Sequence, residues 1–131
     1  MSNRKLGKVY SGAFIVAGAI GLAGCEGATD RAVSYAEDVQ PILAEHCIEC
    51  HRPGAEGYAK SGFGVESYAA TMKGTKFGPV VIGGDSIGST LVVLIEGRAH
   101  SSIQMPHGQQ RMPEEQIETV KRWVDQGAMD N

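Results

Sequence analysis

Cys47-Ile48-Glu49-Cys50-His51 is the stretch on which the reading of this chain turns. Two thiols three positions apart on a tight turn can each add to one vinyl group of the same porphyrin. The adjacent imidazole is then carried under the iron. Other uses of the pair fit worse. A zinc ribbon needs a second cysteine or histidine pair, and no cysteine follows Cys50. A thioredoxin-like redox pair wants a strand leading into a helix, whereas this motif closes a helix and runs into a glycine-rich loop. A plain disulfide would leave His51 without a role. The motif therefore predicts one covalent haem c on Cys47 and Cys50, with His51 as proximal ligand.

Outward from the motif, the pattern is helical. Val39, Ile42, Leu43 and Cys47 recur at helical spacing and predict a helix from about Ala36 to Cys47, with Pro41 tolerated in its first turns. Residues 52–66 read as a glycine-rich loop, and a short helix covers Ser67 to Lys73. A second glycine-rich loop holds Gly78-Pro79 and Gly83-Gly84-Asp85. Ser89 is expected to cap a helix from Thr90 to Glu96 that Gly97 closes, and residues 98–111 read as irregular. The last helix starts at Pro113, carries Glu114 and Glu115 in its first turn, and stops at Gly127. Its stripe of Ile117, Val120, Trp123 and Val124 predicts that Trp123 packs with Ile42 and Leu43. The expected fold class is all-α, about four helices with long loops enclosing one haem.

Composition agrees with a cofactor-dependent core. Aromatic residues make up 6% of the 131 residues and there are 18 glycines, so few large side chains are available for packing. Small domains of that kind lean on a disulfide, a metal or a prosthetic group, and long loops need something to wrap. The formal net charge of −3 argues against nucleic acid as a partner.

For the distal ligand, the residues offer Met72, Met105, Met112, His100 and His107. Met105-Pro106 sits in a constrained irregular stretch from which a side chain can project inward. Met112 precedes the helix-starting Pro113 and also reads as a cap or core contact, and Met72 reads as core near Tyr68. His46, just before Cys47, is expected at the surface.

The N-terminal segment reads as an address. Arg4, Lys5 and Lys8 precede an apolar stretch from Ala13 to Leu22, too short for the roughly 20 residues of a spanning helix. Leu22-Ala23-Gly24-Cys25 resembles a bacterial lipobox, with Cys25 as the lipidated residue and small residues before the cut. The expected organisation is a lipoprotein signal peptide over 1–24, a lipidated tether over 25–34 and, over 35–131, a haem-carrying domain that resembles cytochrome c. There is no twin-arginine pair, which favours the general export route. Removing the three leader cations takes the net charge of −3 to −6, so the exported domain is acidic.

With these residues in hand, the chain resembles the class I cytochrome c superfamily, and more narrowly the planctomycete-type single-haem cytochrome c family. The residues that carry the resemblance run from Asp38-Val39-Gln40-Pro41-Ile42-Leu43 through the Cys47–His51 motif and Gly78-Pro79-Val80-Val81-Ile82-Gly83-Gly84-Asp85. They continue through Ser89-Thr90-Leu91 and Met105-Pro106 to Trp123-Val124-Asp125-Gln126-Gly127-Ala128. The family pattern implies that Met105 is the distal ligand, with the second Met-Pro pair at Met112-Pro113 as the alternative. It also implies an electron carrier rather than an enzyme; the acidic balance favours redox partners with basic docking surfaces, and the lipobox predicts that the lipid on Cys25 holds the domain to a membrane. The expected location is the periplasmic or cell-surface side of that membrane. The alternative functions are a haem-based ligand-binding or sensing domain, if the distal site is open, and the electron-port subunit of a larger oxidoreductase.

Overall fold

The computed structural model describes residues 31–131. The signal peptide expected over 1–24, the lipidated Cys25 and most of the tether lie outside the described residues.

Five α-helices order the described chain: α1 (Gln40–His46), α2 (Glu56–Ser61), α3 (Tyr68–Lys73), α4 (Thr90–Ile95) and α5 (Glu114–Asp125). Among the described residues there is no strand, only an isolated bridge between Thr75 and Gly78. A wide π-helical turn, Tyr35–Val39, runs straight into α1, where one continuous helix was expected. Pro41 explains the difference. In an unbroken α-helix its ring would press on the carbonyl four residues earlier, and a widened turn just upstream relieves that clash. Ser34 caps the turn by accepting from the Glu37 amide at 3.2 Å, and Asp38 reaches back to the Ser34 amide at 2.8 Å.

The larger revision lies between the motif and Ser67. Residues 52–66 were expected to be loop, yet they contain α2, which ends on Gly62 in the left-handed region (φ 75°). Six residues with an internal glycine and no side-chain cap leave too little periodicity to read. The stretch 98–111 likewise holds one 3₁₀ turn, Ser101–Ile103. Ser89 does precede α4, but its hydroxyl ties the preceding loop instead of capping the helix. It accepts from the Ile82 amide at 2.8 Å and donates to the Asp85 carbonyl at 2.7 Å.

The core sits where the π-turn and α5 meet. Ile117, Val120, Trp123 and Val124 are fully buried, as the stripe predicted. The rings beside Trp123 are Tyr35 at 5.4 Å and Tyr68 at 6.4 Å, in the same buried core as the expected partners Ile42 and Leu43. Tyr35 and Tyr68 meet edge-on at 5.1 Å. Each ring also has its polar atom satisfied, as burial demands. Trp123 Nε1 donates to the Met129 carbonyl at 2.9 Å, Tyr68 donates to the Ala128 carbonyl at 2.9 Å, and the Tyr35 hydroxyl lies 3.0 Å from Thr71 Oγ1.

The two ends of the described chain are clasped. Val33 N–H donates to Gln126 Oε1 at 2.7 Å, and Tyr35 N–H to Asn131 Oδ1 at 2.9 Å. Ser34 Oγ and the Ala36 amide both donate to the Asn131 carbonyl, at 2.6 and 3.1 Å.

Candidate functional site

The motif is folded by α1 running out. Cys47 and Ile48 still donate to the Leu43 carbonyl, at 2.9 and 3.1 Å. The chain then tightens: Cys50 and His51 both donate to the Cys47 carbonyl, at 3.1 and 2.8 Å. Two further bonds pin the motif from downstream. Tyr58 N–H in α2 donates to the Cys50 carbonyl at 2.9 Å, and Val65 N–H to the His51 carbonyl at 3.0 Å. The helix that sequence reading missed therefore has a direct structural task.

Cys47, Cys50 and His51 open onto a cavity of ≈ 440 Å³. Its other walls come from α2, Phe63, Thr75, Val80, the α4 residues Thr90, Leu91, Leu94 and Ile95, and the loop Met105-Pro106-His107. A volume of that size falls within the range of about 300–1,000 Å³ used for small molecules and cofactors. The cavity opens to solvent and its walls are largely apolar, so an apolar occupant that displaces water from them is favoured. An occupant is what this architecture calls for.

The candidate distal ligands separate in space. Met105 lines the cavity, and its amide is fixed on the α4 carbonyl of Leu94 at 3.3 Å. Met112 is 3% exposed within the hydrophobic core and does not line the cavity. Met72 packs against that core. His100 is exposed and caps the 3₁₀ turn by accepting from the Ser102 amide. His107 reaches the cavity from an exposed position. His46, expected at the surface, is partly buried and lines the cavity; its Nε2 lies 2.6 Å from Gln116 Oε1 of α5.

The electrostatics favour neutral groups. Burial, reinforced by the neighbouring Cys50, pushes the Cys47 thiol up to about 12. A thiolate nucleophile or thiolate metal ligand is disfavoured there, whereas an uncharged thioether sulfur suits the site. Burial pushes the His51 imidazole below its ordinary value, with the Phe63 backbone pulling the other way. That backbone contact falls short of an ordinary hydrogen bond, since the buried Nδ1 has no partner of acceptable geometry. The neutral ring that results is the form that binds iron. No cluster of three or more metal-ligating side chains of the Cys, His, Asp and Glu type exists among the described residues. The donors present are two attachable sulfurs, an imidazole and a thioether around an apolar cavity. They fit a covalently held haem.

Fold and site together define a small all-α cytochrome c-type domain. Residues 47–108 match the family model of Planctomycete cytochrome C, which supports a planctomycete-type cytochrome c domain and a haem-based electron-carrying role over that stretch. The match begins at Cys47 and ends three residues after Met105. It is shorter than the resemblance read from Asp38 to Ala128. No curated protein and no solved structure gives a match.

The residues that sequence reading missed are Gly57, Phe63, His46 and the cavity face of α4. Only α4 carried a signal. Leu91-Val92-Val93-Leu94-Ile95 is apolar all round, the mark of a helix covered on both faces.

Proposed function

We propose that this protein is an exported, lipid-anchored monohaem cytochrome that carries single electrons between redox proteins and is not itself an enzyme. The observation that carries the reading is that Cys47, Cys50, His51 and Met105 line one cavity while Met112 does not. Cys47 and Cys50 would hold the porphyrin edge through thioethers, His51 would give the imidazole ligand, and Met105 the thioether ligand. Bound haem supplies a one-electron ferric–ferrous couple. Val80, Leu91, Leu94 and Ile95 line the cavity and would limit the access of water to that couple, and with it the reorganisation when charge arrives or leaves. With His51 and Met105 both serving as ligands, no position would be left for a substrate. Leu22-Ala23-Gly24-Cys25 behind a basic, apolar leader supports the anchor on Cys25. The acidic balance of the domain supports partners with basic docking surfaces and an association weakened by salt.

The test compares two methionine variants of the purified holoprotein. Met105→Ala is expected to abolish the charge-transfer band of methionine-ligated ferric haem, lower the potential and admit carbon monoxide, whereas Met112→Ala keeps all three. The reverse pattern moves the ligand to Met112. Wild-type ferrous protein that binds carbon monoxide readily would replace electron carrying with a ligand-sensing role. For the anchor, Cys25→Ser should release the domain into the soluble exported fraction with its haem spectrum intact.

A further inference from the structure

Gly57 is a glycine that its own backbone does not need. Its φ lies outside the left-handed region, so any residue could adopt it, and within a helix alanine would be more stable by about 0.5–1 kcal/mol. What Gly57 provides is room. A Cβ built there would lie 2.7 Å from the Cys50 carbonyl oxygen and 3.1 Å from His51 Cε1. The first of these distances is impossible for a real side chain. The Tyr58–Cys50 bond of 2.9 Å draws α2 down to this separation, so the helix rests on the motif at Gly57.

His51 has one freedom left by its backbone bonds. Its amide and carbonyl are both tied, at 2.8 and 3.0 Å, but the ring torsion of a histidine is intrinsically broad. Two features confine it. One is the clearance at Gly57, where an added Cβ would press on Cε1 from 3.1 Å, and the other is the Phe63 ring, 5.4 Å away at an interplanar angle of 64°. Phe63 is itself buried, so it is a fixed wall. We propose that Gly57 and Phe63 are positioning residues that set the plane of the His51 imidazole. The inference rests on the haem reading, because ring orientation has a redox consequence only at a ligated iron, where groups around a ligand tune the metal.

The experiment uses exported, haem-loaded protein and reads ferric EPR g-values and haem-methyl proton shifts, with covalent haem content measured alongside. Gly57→Ala is expected to keep its covalent haem, displace the largest g-value and redistribute the methyl shifts. Phe63→Leu, which frees the ring without touching Cys50, should change the same signals. If haem-loaded Gly57→Ala is less stable but has wild-type g-values and methyl shifts, Gly57 only accommodates backbone and the proposal fails. If Gly57→Ala yields no loaded protein, Phe63→Leu decides, and unchanged signals overturn the proposal. Wild-type protein without a haem-staining band would instead defeat the haem reading itself, which separates the two failures.

Discussion

Two regions of this domain are built on opposite principles. Where the π-turn meets α5, the protein fills its own space: three aromatic rings interlock, and Val39, Ile117, Val120 and Val124 are sealed around them. Between α1 and the Met105 loop, helices of six residues line a cavity of ≈ 440 Å³ and leave it for another molecule to fill. The first region is stabilised by side chains alone. The second is organised by backbone bonds onto the motif and would be completed by a cofactor. In a chain with 6% aromatic residues, concentrating the rings in one region leaves the other dependent on the cofactor.

The strongest way to break this contrast is to deprive the cavity of its occupant. Cys47→Ser with Cys50→Ser should abolish haem staining and cooperative thermal unfolding, or leave only a weak transition from the aromatic region. A double variant that melts like wild type would show that the cavity region stands unaided. Trp123→Ala attacks the other region and should cost about 3 kcal/mol or more by denaturant titration, with haem still attached. The two methionines sharpen the contrast further. Met112→Ala should destabilise by about 2–5 kcal/mol with its spectrum intact, while Met105→Ala alters the spectrum at less cost in stability. Equal stability losses would erase the distinction.

Tyr35→Phe removes one buried hydroxyl contact, but Thr71 Oγ1 keeps its bond to the Ser67 carbonyl at 3.1 Å. A loss of about 1 kcal/mol is expected. The smallest effect is acid sensitivity. Asp38 is held below its ordinary range by its hydrogen bond from Arg31 and by the Ser34 amide. Burial alone would raise Glu96, but hydrogen bonds from Lys121 and Arg98 outweigh it and hold that carboxyl low. Both pKa values are depressed on folding, so their stabilisation is present above about pH 4 and is lost as pH falls through the folded values. Asp38→Asn with Glu96→Gln should therefore lose less stability than wild type between about pH 6 and pH 3.

The parts legible in the sequence are those whose signal is local and repeated. The stripe on α5, Ile117 to Val124, spans about two turns, and the Cys47–His51 motif has a spacing with one good chemical use. α2 escaped because its glycine, which lowers helix propensity, is there for clearance from Cys50 and His51, a relation invisible in one dimension. His46 was assigned outward from its neighbour Cys47. It is held at the cavity by Gln116, 70 residues away. The π-turn required the consequence of Pro41 to be followed upstream, against a pattern that otherwise reads as plain helix.

The clasp between Val33–Ala36 and Gln126–Asn131 has a topological consequence. It makes everything from α1 to α5, haem motif and methionine loop included, a single loop of some 98 residues drawn shut at one neck. Closing a flexible loop of that length costs about 4 kcal/mol in chain entropy, and that cost falls before most contacts inside the loop can offset it. A short covalent link from Asn131 back to Arg31, with new ends opened in an exposed turn such as Arg52–Gly54, would remove much of that cost. Such a circular permutant should collapse its aromatic region faster than the parent chain and reach the same folded state.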